Sequence, residues 1–409
     1  RAPMPALICA SDGHLSRHYG RMAPEQLLGR RRWLREGLKQ TVDHALAVKA
    51  DLYVHGGDLF DGPNPRATEM IWAAGQFQRL ADGGVRSLLI GGNHDIPRTR
   101  AGGATPQRLF SAVRQAHVFT DPTRVEWWTG EVGGLRLAIG GLPPDPRLER
   151  IDPLSHEAPD PLTRLTEPIA PPPADLVLLV THYAIEGTLA AGAEEPTIRK
   201  ASIAALAGKV HQLLVGHVHS AKDLEVDGVR VAFPGPTERM GFGELEIPCG
   251  FLELHLEGPG RLRLQRHRIR PQPMRRETVR ATDIPRENPT AWLIERLRHW
   301  SDPEQMLQLR LEGPLDRETY HDLRFLDLIQ VGTDLNFYFD LDRHGLGLDL
   351  PELMAPDVSP TVRPSPRGEI RAVAAALMAA AEDEQERELL AQALDLALDS
   401  YGSGGVEEA

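Results

Sequence analysis

Leu213-Leu214-Val215-Gly216-His217-Val218-His219 is a short apolar run that ends in a glycine and two histidines one residue apart. Four upstream fragments have the same form. Ser11-Asp12-Gly13-His14 follows Leu7-Ile8-Cys9-Ala10, and Gly57-Asp58-Leu59-Phe60-Asp61 follows Leu52-Tyr53-Val54. Gly92-Asn93-His94-Asp95 follows Leu88-Leu89-Ile90, and Thr181-His182 closes the run that begins at Leu176. Apolar runs this short, spaced by longer helix-like segments, predict buried strands of an α/β sheet. Ligands in such sheets gather just beyond the carboxyl ends of the strands. The strand ends are therefore expected to bring Asp12, His14, Asp58, Asn93, His182, His217 and His219 to one edge.

The residue types suit metal chemistry. Asp and His are ligands for Mn, Fe or Zn, and Asn adds a neutral oxygen. Residues one apart, such as Asp12 with His14 or His217 with His219, share one side of an extended segment. A carboxylate such as Asp58 can bridge two cations. Two cations about 3.5–4 Å apart can hold a hydroxide between them and clamp a phosphate for in-line attack. Any one of these fragments alone is an ordinary strand-to-loop turn. The whole set in this order, each member on a strand end, points to a site.

The order D-x-H, G-D-x-x-D, G-N-H-D, H, G-H-x-H resembles the calcineurin-like metallophosphoesterase superfamily. Gly57-Asp58-Leu59-Phe60-Asp61 and the run Phe233-Pro234-Gly235-Pro236-Thr237-Glu238-Arg239-Met240-Gly241-Phe242-Gly243-Glu244 resemble the SbcD-like DNA repair nucleases. Chain length and C-terminal layout are most similar to the YhaO branch. The motifs cover about the first 245 residues, and beyond them the resemblance is one of layout. It implies an α/β fold: a metallophosphoesterase β-sandwich flanked by helices, with a small α/β cap domain and C-terminal helices.

The resemblance also implies roles. Asp12, His14 and His219 would hold one metal, Asn93, His182 and His217 a second, and Asp58 would bridge. Mn is the first expectation, with Fe, Zn or Mg as alternatives. His94 would not be a ligand but would face the scissile phosphate, protonating the leaving oxygen or stabilising its charge. Asp61 would accept a hydrogen bond from His94 and fix its tautomer; Asp95 is the other candidate for that task, or a cap on the following turn. Phosphoprotein phosphatases resemble G-D-x-V-D-R-G at the second motif, whereas Gly62 follows Asp61 here, so the arginine that grips a monoester is missing. Tyr183 stands where relatives commonly have a second histidine and is expected to be a wall residue.

The implied activity is a metal-dependent DNA nuclease, acting as exonuclease and single-strand or hairpin endonuclease in double-strand break repair. The alternative is a small-molecule phosphodiesterase or phosphatase with the same dinuclear site. Expected partners are DNA and an SbcC- or YhaN-like coiled-coil ATPase bound through the C-terminal helices, with a homodimer left open.

Composition sets bounds. A length of 409 residues suggests two to three domains. A net charge of -12 argues against DNA binding by the whole surface but allows a local basic track. Candidates for it are Arg30, Arg31, Arg32 and Arg35, otherwise a solvated helix face; Arg98 and Arg100; and the arginine-rich stretch from Arg261 to Arg280, of which Arg261 to Arg270 alternates with Leu262, Leu264 and Ile269 as a strand with one polar face would. No run reaches the roughly 18 apolar residues of a membrane span. No signal peptide is read at the N-terminus, and Met4 reads as a natural start. The two cysteines, Cys9 and Cys249, fit a reducing cytoplasm. His55 is expected to be a satisfied core residue, and His18 could line the mouth of the site. His211, His255, His299, His321 and His344 show no ligand-like company in sequence. Trp127 and Trp128 are expected to pack on a hairpin before a turn at Thr129-Gly130.

The expected domains are a catalytic region over 1–270, a cap over 271–346, a Pro-rich linker over 347–368 and a helical docking segment over 369–409. In the cap, strands around Thr278 to Arg280, Gln305 to Leu311 and Asn336 to Asp340 alternate with helices over Pro289 to Trp300 and Asp316 to Ile329.

Overall fold

Parallel strands buried on both faces read as continuous apolar runs, and that is how the quoted segments fold. The computed structural model describes residues 5–98, 103–148, 159–188 and 195–348, with 373–375, 378 and 387–394 beyond them. The first half runs β1 (Ala6–Ala10), α1 (Pro24–Ala47), β2 (Leu52–Gly56), α2 (Ala67–Asp82), β3 (Arg86–Ile90), α3 (Arg108–Ala112) and β4 (Ala116–Phe119). Then come β5 (Glu126–Val132), β6 (Leu135–Leu142), β7 (Leu176–Thr181), the two-residue strands β8 (Ala184–Ile185) and β9 (Thr197–Ile198), α4 (Lys200–Ala204) and β10 (Gln212–Val215). The sandwich closes with β11 (Asp223–Val226), β12 (Val229–Ala232), β13 (Gly250–Gly258) and β14 (Arg261–Arg268).

Apart from β8 and β9, which pair with each other, these strands make two six-stranded sheets, ordered β14-β13-β1-β2-β3-β4 and β11-β12-β10-β7-β6-β5. The expectation of a single sheet edge is thereby corrected. The motif strands β1, β2 and β3 lie in one sheet, and β7 and β10 in the other. Leu7, Val54 and Leu88 from the first sheet meet Leu178, Val180 and Leu214 from the second in the core between them. Ile8, Tyr53 and Leu89 face the opposite way, against Leu34, Leu38 and Phe77 of the helices. Leu179, Leu213 and Val215 pack outward against Ile203 and Tyr183. Each central strand is thus apolar on both faces, and truncating one such leucine costs about 2–5 kcal/mol. Registers such as Ala10 with His55 and Val215 with Thr181 align the carboxyl ends of neighbouring strands, so their loops leave side by side.

The third sheet is β15 (Met274–Arg280), β16 (Met306–Leu315) and β17 (Tyr338–Leu348), all parallel with β16 central. Its helices are α5 (Pro289–Trp300), α6 (Arg317–Asp322) and α7 (Phe325–Leu335). It has its own core around Leu293, Leu297, Leu309 and Leu328. The expected βαβαβ unit is present, with two adjustments. The helix expected over Asp316 to Ile329 is broken between Asp322 and Phe325. The last strand runs on to Leu348, past the expected linker start at 347. Residues up to Leu348 form one compact unit and Asp349–Ala409 another. The expected linker and docking segment fall almost wholly outside the described residues; 387–394 are helical.

Candidate metal centre

Three of the five motif strands, β1, β2 and β10, exit through strained backbone. Asp12 (φ 56°), His14 (φ 43°), Asp58 (φ 51°) and His217 (φ 81°) all adopt left-handed conformations. Non-glycine residues persist there only where their surroundings hold them, and such strain clusters at functional sites. The glycines of the motifs serve close approach. A Cβ at Gly92 would overlap the Asp58 carboxylate, and one at Gly216 would overlap the Gly56 carbonyl and His182. This is why G-N-H-D and G-H-x-H carry glycine in those places.

The seven donors named from the sequence come together. His14 Nε2 lies 3.1 Å from His219 Nε2 and 3.7 Å from Asp58 Oδ2. His219 Nε2 is 3.7 Å from Asp12 Oδ1. His182 Nε2 is 3.2 Å from Asp58 Oδ2, 3.2 Å from Asn93 Oδ1 and 3.9 Å from Asp12 Oδ1. His217 Nδ1 is 3.0 Å from Asn93 Oδ1. Donors about 3.0–3.4 Å apart are what a cation with ligands at about 2.0–2.2 Å would require. Asp12, His14, Asp58 and His182 are buried. Facing imidazole nitrogens and buried carboxylates, with no lysine or arginine among the donors, fit a divalent ion, and these residues would hold it.

Carboxylates and a carbonyl outside the donor set aim the rings. His182 Nδ1 is 2.7 Å from the Gly56 carbonyl, which turns Nε2 into the site. His219 Nδ1 is 2.7 Å from Glu244, and His217 Nε2 is 3.1 Å from Glu195. Such partners fix tautomer and ring orientation for ligation. Glu195 and Glu244 escaped the sequence reading, although Glu244 closes the quoted Phe233–Glu244 run. No local signal links a glutamate to a histidine 25 positions away.

Electrostatics follow from burial and proximity. Burial opposes ionisation of Asp58, but His182 and His14 outweigh it and hold the carboxyl well below its ordinary value. Asp12 is likewise held low against its burial, by His182 and His219. His182 is disfavoured as a cation by burial, yet the adjacent Asp58 and Asp12 push it up to about 9. Burial lowers His94, with Asp58 opposing.

His94 lies on the open side of the cluster, 42% exposed at its side chain, with its backbone N–H donating to Asp58 Oδ1 at 3.0 Å. The hydrogen bond expected from it to Asp61 is not made: their closest approach is 3.8 Å. Asp61 Oδ1 instead meets His14 Nδ1 at 3.1 Å and accepts from Arg17 Nη1 at 2.7 Å. His14 needs Asp61 because its Nε2 is turned inward, and the carboxylate has little reach left. Asp95 neither orients His94 nor caps the turn after it: its bonds to backbone among the described residues reach back to its own loop and across to the β2 exit. It is buried and accepts from the backbone N–H groups of Gly92 (2.6 Å) and Phe60 (3.2 Å), and burial beside Asp58 pushes its carboxyl up to about 8.

Other expectations are corrected. Tyr183 is no wall residue: it is buried behind the second sheet, and its hydroxyl accepts from the Asp145 N–H at 2.6 Å. Arg30 is neither solvated nor available to DNA, being fully buried against Gln272, Arg239 and Glu238. Arg31 is buried as well, while Arg35 makes a two-point bond to Glu69. His55 is buried, but neither ring nitrogen has a hydrogen-bond partner among the described residues, and burial lowers it to about 4. Trp127 and Trp128 do pack on the β5–β6 hairpin, whose turn is at Gly133-Gly134 and not at Thr129-Gly130. Arg100 lies outside the described residues, and Arg98 is exposed.

The calcineurin-like phosphoesterase family matches residues 7–221, and the chain belongs to that family of metal-dependent hydrolases. Its similar relatives include the DNA double-strand break repair protein Mre11 of Haloferax volcanii, 28% identical over 61% of this chain and 48% of that protein. Mre11 of Saccharolobus solfataricus is 32% identical over 26% of this chain and 27% of its own length. The chain thus spans about half or less of the length of these curated relatives. Among solved structures, a dimetal phosphatase from Danio rerio aligns with a TM-score of 0.38 at 11% identity, covering 66% of this chain and 100% of that one. No helix among the described residues is long and apolar enough to cross a membrane.

Proposed function

We propose that this chain is a DNA nuclease that hydrolyses phosphodiester bonds with two divalent cations, Mn before Fe, Zn or Mg. The carrying observation is the donor set: Asp12, His14 and His219 on one side, Asn93, His182 and His217 on the other, with the Asp58 carboxylate within 3.2 Å of His182 and 3.7 Å of His14. The similarity to the DNA double-strand break repair protein Mre11 supports DNA as substrate. Bound cations would neutralise phosphate charge and lower the pKa of a water for in-line attack. The chain's own residues position and exclude. His94, on the exposed side, would donate to the leaving oxygen. Asp61 and Arg17 would hold His14 in place and reach His94 only through it. Gly62, where a monoester phosphatase of this family would carry its arginine, leaves room for a continuing strand.

The C-terminal residues 369–409 would dock a coiled-coil ATPase of the SbcC or YhaN kind, and the protein would work in the cytoplasm. The test is cleavage of end-labelled single-stranded, duplex and hairpin DNA beside a generic phosphodiester, with Mn, Mg, Zn and Fe in turn. Metal-stimulated cleavage of DNA is the expected result. High turnover of nucleotides or the generic diester with intact DNA would instead make this a small-molecule phosphodiesterase, and no metal-stimulated hydrolysis of any substrate would end the enzymatic reading.

A further inference from the structure

On the helix-facing side of the first sheet, β13 alternates. Leu252 and Leu254 point between the sheets, while Phe251 points toward α1 with Glu253 and His255, two and four positions on. The antiparallel register sets His267 of β14 opposite Phe251, one step from Glu253 on the same face. The last turn of α1 adds His44. A glutamate whose side chain is 8% exposed is thus ringed by imidazoles from three elements. Its Oε2 is 2.8 Å from His44 Nε2 and 2.8 Å from His267 Nε2, and its Oε1 is 3.3 Å from His255 Nε2. The absence of ligand-like company expected for His255 is corrected by this arrangement.

We propose that His44, Glu253 and His267, with His255 completing the set, form a second metal site for a single zinc-class divalent cation, sharing no ligand with the phosphoesterase edge. The donor atoms of His44, Glu253 and His267 lie within 4.8 Å of one another. The contacts of 2.8–3.3 Å approach the roughly 3.3 Å tetrahedral edge of a zinc ion with ligands near 2.0–2.1 Å. Three imidazoles and one carboxylate are a nitrogen-rich set of the kind zinc takes, whereas Mg and Ca prefer oxygen.

A second observation points the same way. The buried Nε2 atoms of His255 and His267 have no hydrogen-bond partner among the described residues, although both are close to the carboxylate. Proximity without hydrogen-bond alignment leaves buried polar atoms unsatisfied, which is costly, and a cation among them removes that cost. Arg263, opposite His255 in the register, does not fill the cluster's charge, since Glu257 holds it at 3.4 Å. The bound ion would pin the end of α1 to β13 and β14.

The experiment uses the full chain, stripped with chelator, reloaded with zinc chloride, gel-filtered and assayed for metal by mass spectrometry, with thermal unfolding in parallel. Glu253→Gln and His44→Gln/His267→Gln should each lose one zinc equivalent and a zinc-dependent rise in Tm of a few degrees. Asp58→Asn should keep that equivalent, which separates this site from the phosphoesterase centre and its fate. Zinc content unchanged in folded Glu253→Gln and the double variant would overturn the proposal. If those variants do not fold, anomalous diffraction at the zinc edge from the unaltered, zinc-saturated chain decides: a peak among His44, Glu253 and His267 supports the site, and its absence sinks it.

Discussion

His94→Ala separates chemistry from metal binding. Its side chain is 42% exposed and its ring makes no hydrogen bond among the described residues, with Asp61 3.8 Å away and the His14 ring edge-on at 4.9 Å between centroids. Its contribution to the Asp58 carboxylate is a backbone N–H at 3.0 Å, which alanine retains. Truncation should therefore leave Asp58 in place and cost less than about 1 kcal/mol of stability, as for surface changes away from special features. If His94 donates to the leaving oxygen, kcat should fall about 10²–10⁴-fold, or about 2.7–5.4 kcal/mol of barrier. The assay is single-turnover cleavage of labelled DNA, with metal content and DNA affinity measured on the same preparation. The competing reading is concrete, since His94 can also join His14 and Asp58 as a ligand trio. Loss of a metal equivalent in His94→Ala, or a rate within threefold of the parent, would rule out His94 as the proton donor.

Asp58→Asn should weaken metal binding more than His219→Ala, because Asp58 faces both His14 and His182 and His219 only one side; calorimetry showing equal losses would count against bridging. Gly92→Ala should abolish metal binding by driving a Cβ into Asp58, whereas Gly62→Ala, whose Cβ meets nothing within 4 Å, should bind metal as the parent does; elemental analysis of the pair distinguishes packing from chance. Burial pushes both Cys9 and Cys249 up to about 12, so neither should react with a thiol reagent at pH 8 until denaturant is added. A stoichiometric reaction of the native chain would show that the first strand or the Cys249 turn is open. Glu244→Gln should lower metal affinity modestly, about 10-fold or more, by removing the carboxylate that aims His219; unchanged affinity would mean that the ring needs no such guide.

The strands and the candidate donors were legible in the sequence. Continuous apolar runs bounded by Gly-Asp, Gly-Asn and Gly-His are a local signal, because a strand buried on both faces must be apolar throughout and its ligand-bearing exit must turn sharply. The βαβαβ unit was legible too, where apolar periodicity switches between two and nearly four residues. Which strands share a sheet is a different question. β1 and β10 are both short, apolar and parallel-paired, and only contacts between distant segments place one in each sheet, with Leu7 and Leu214 meeting across the core. Side-chain partnerships were decided the same way. Asp61 serves His14 and not His94 because the β1 and β2 loops exit together, and Glu244 reaches His219 because a later loop folds back over the edge. His44, Glu253 and His267 are scattered over more than two hundred positions, and nothing local joins them. The antiparallel register of β13 and β14 and the seat of α1 put them around one carboxylate, since a contact fixed by tertiary packing carries no period along the chain.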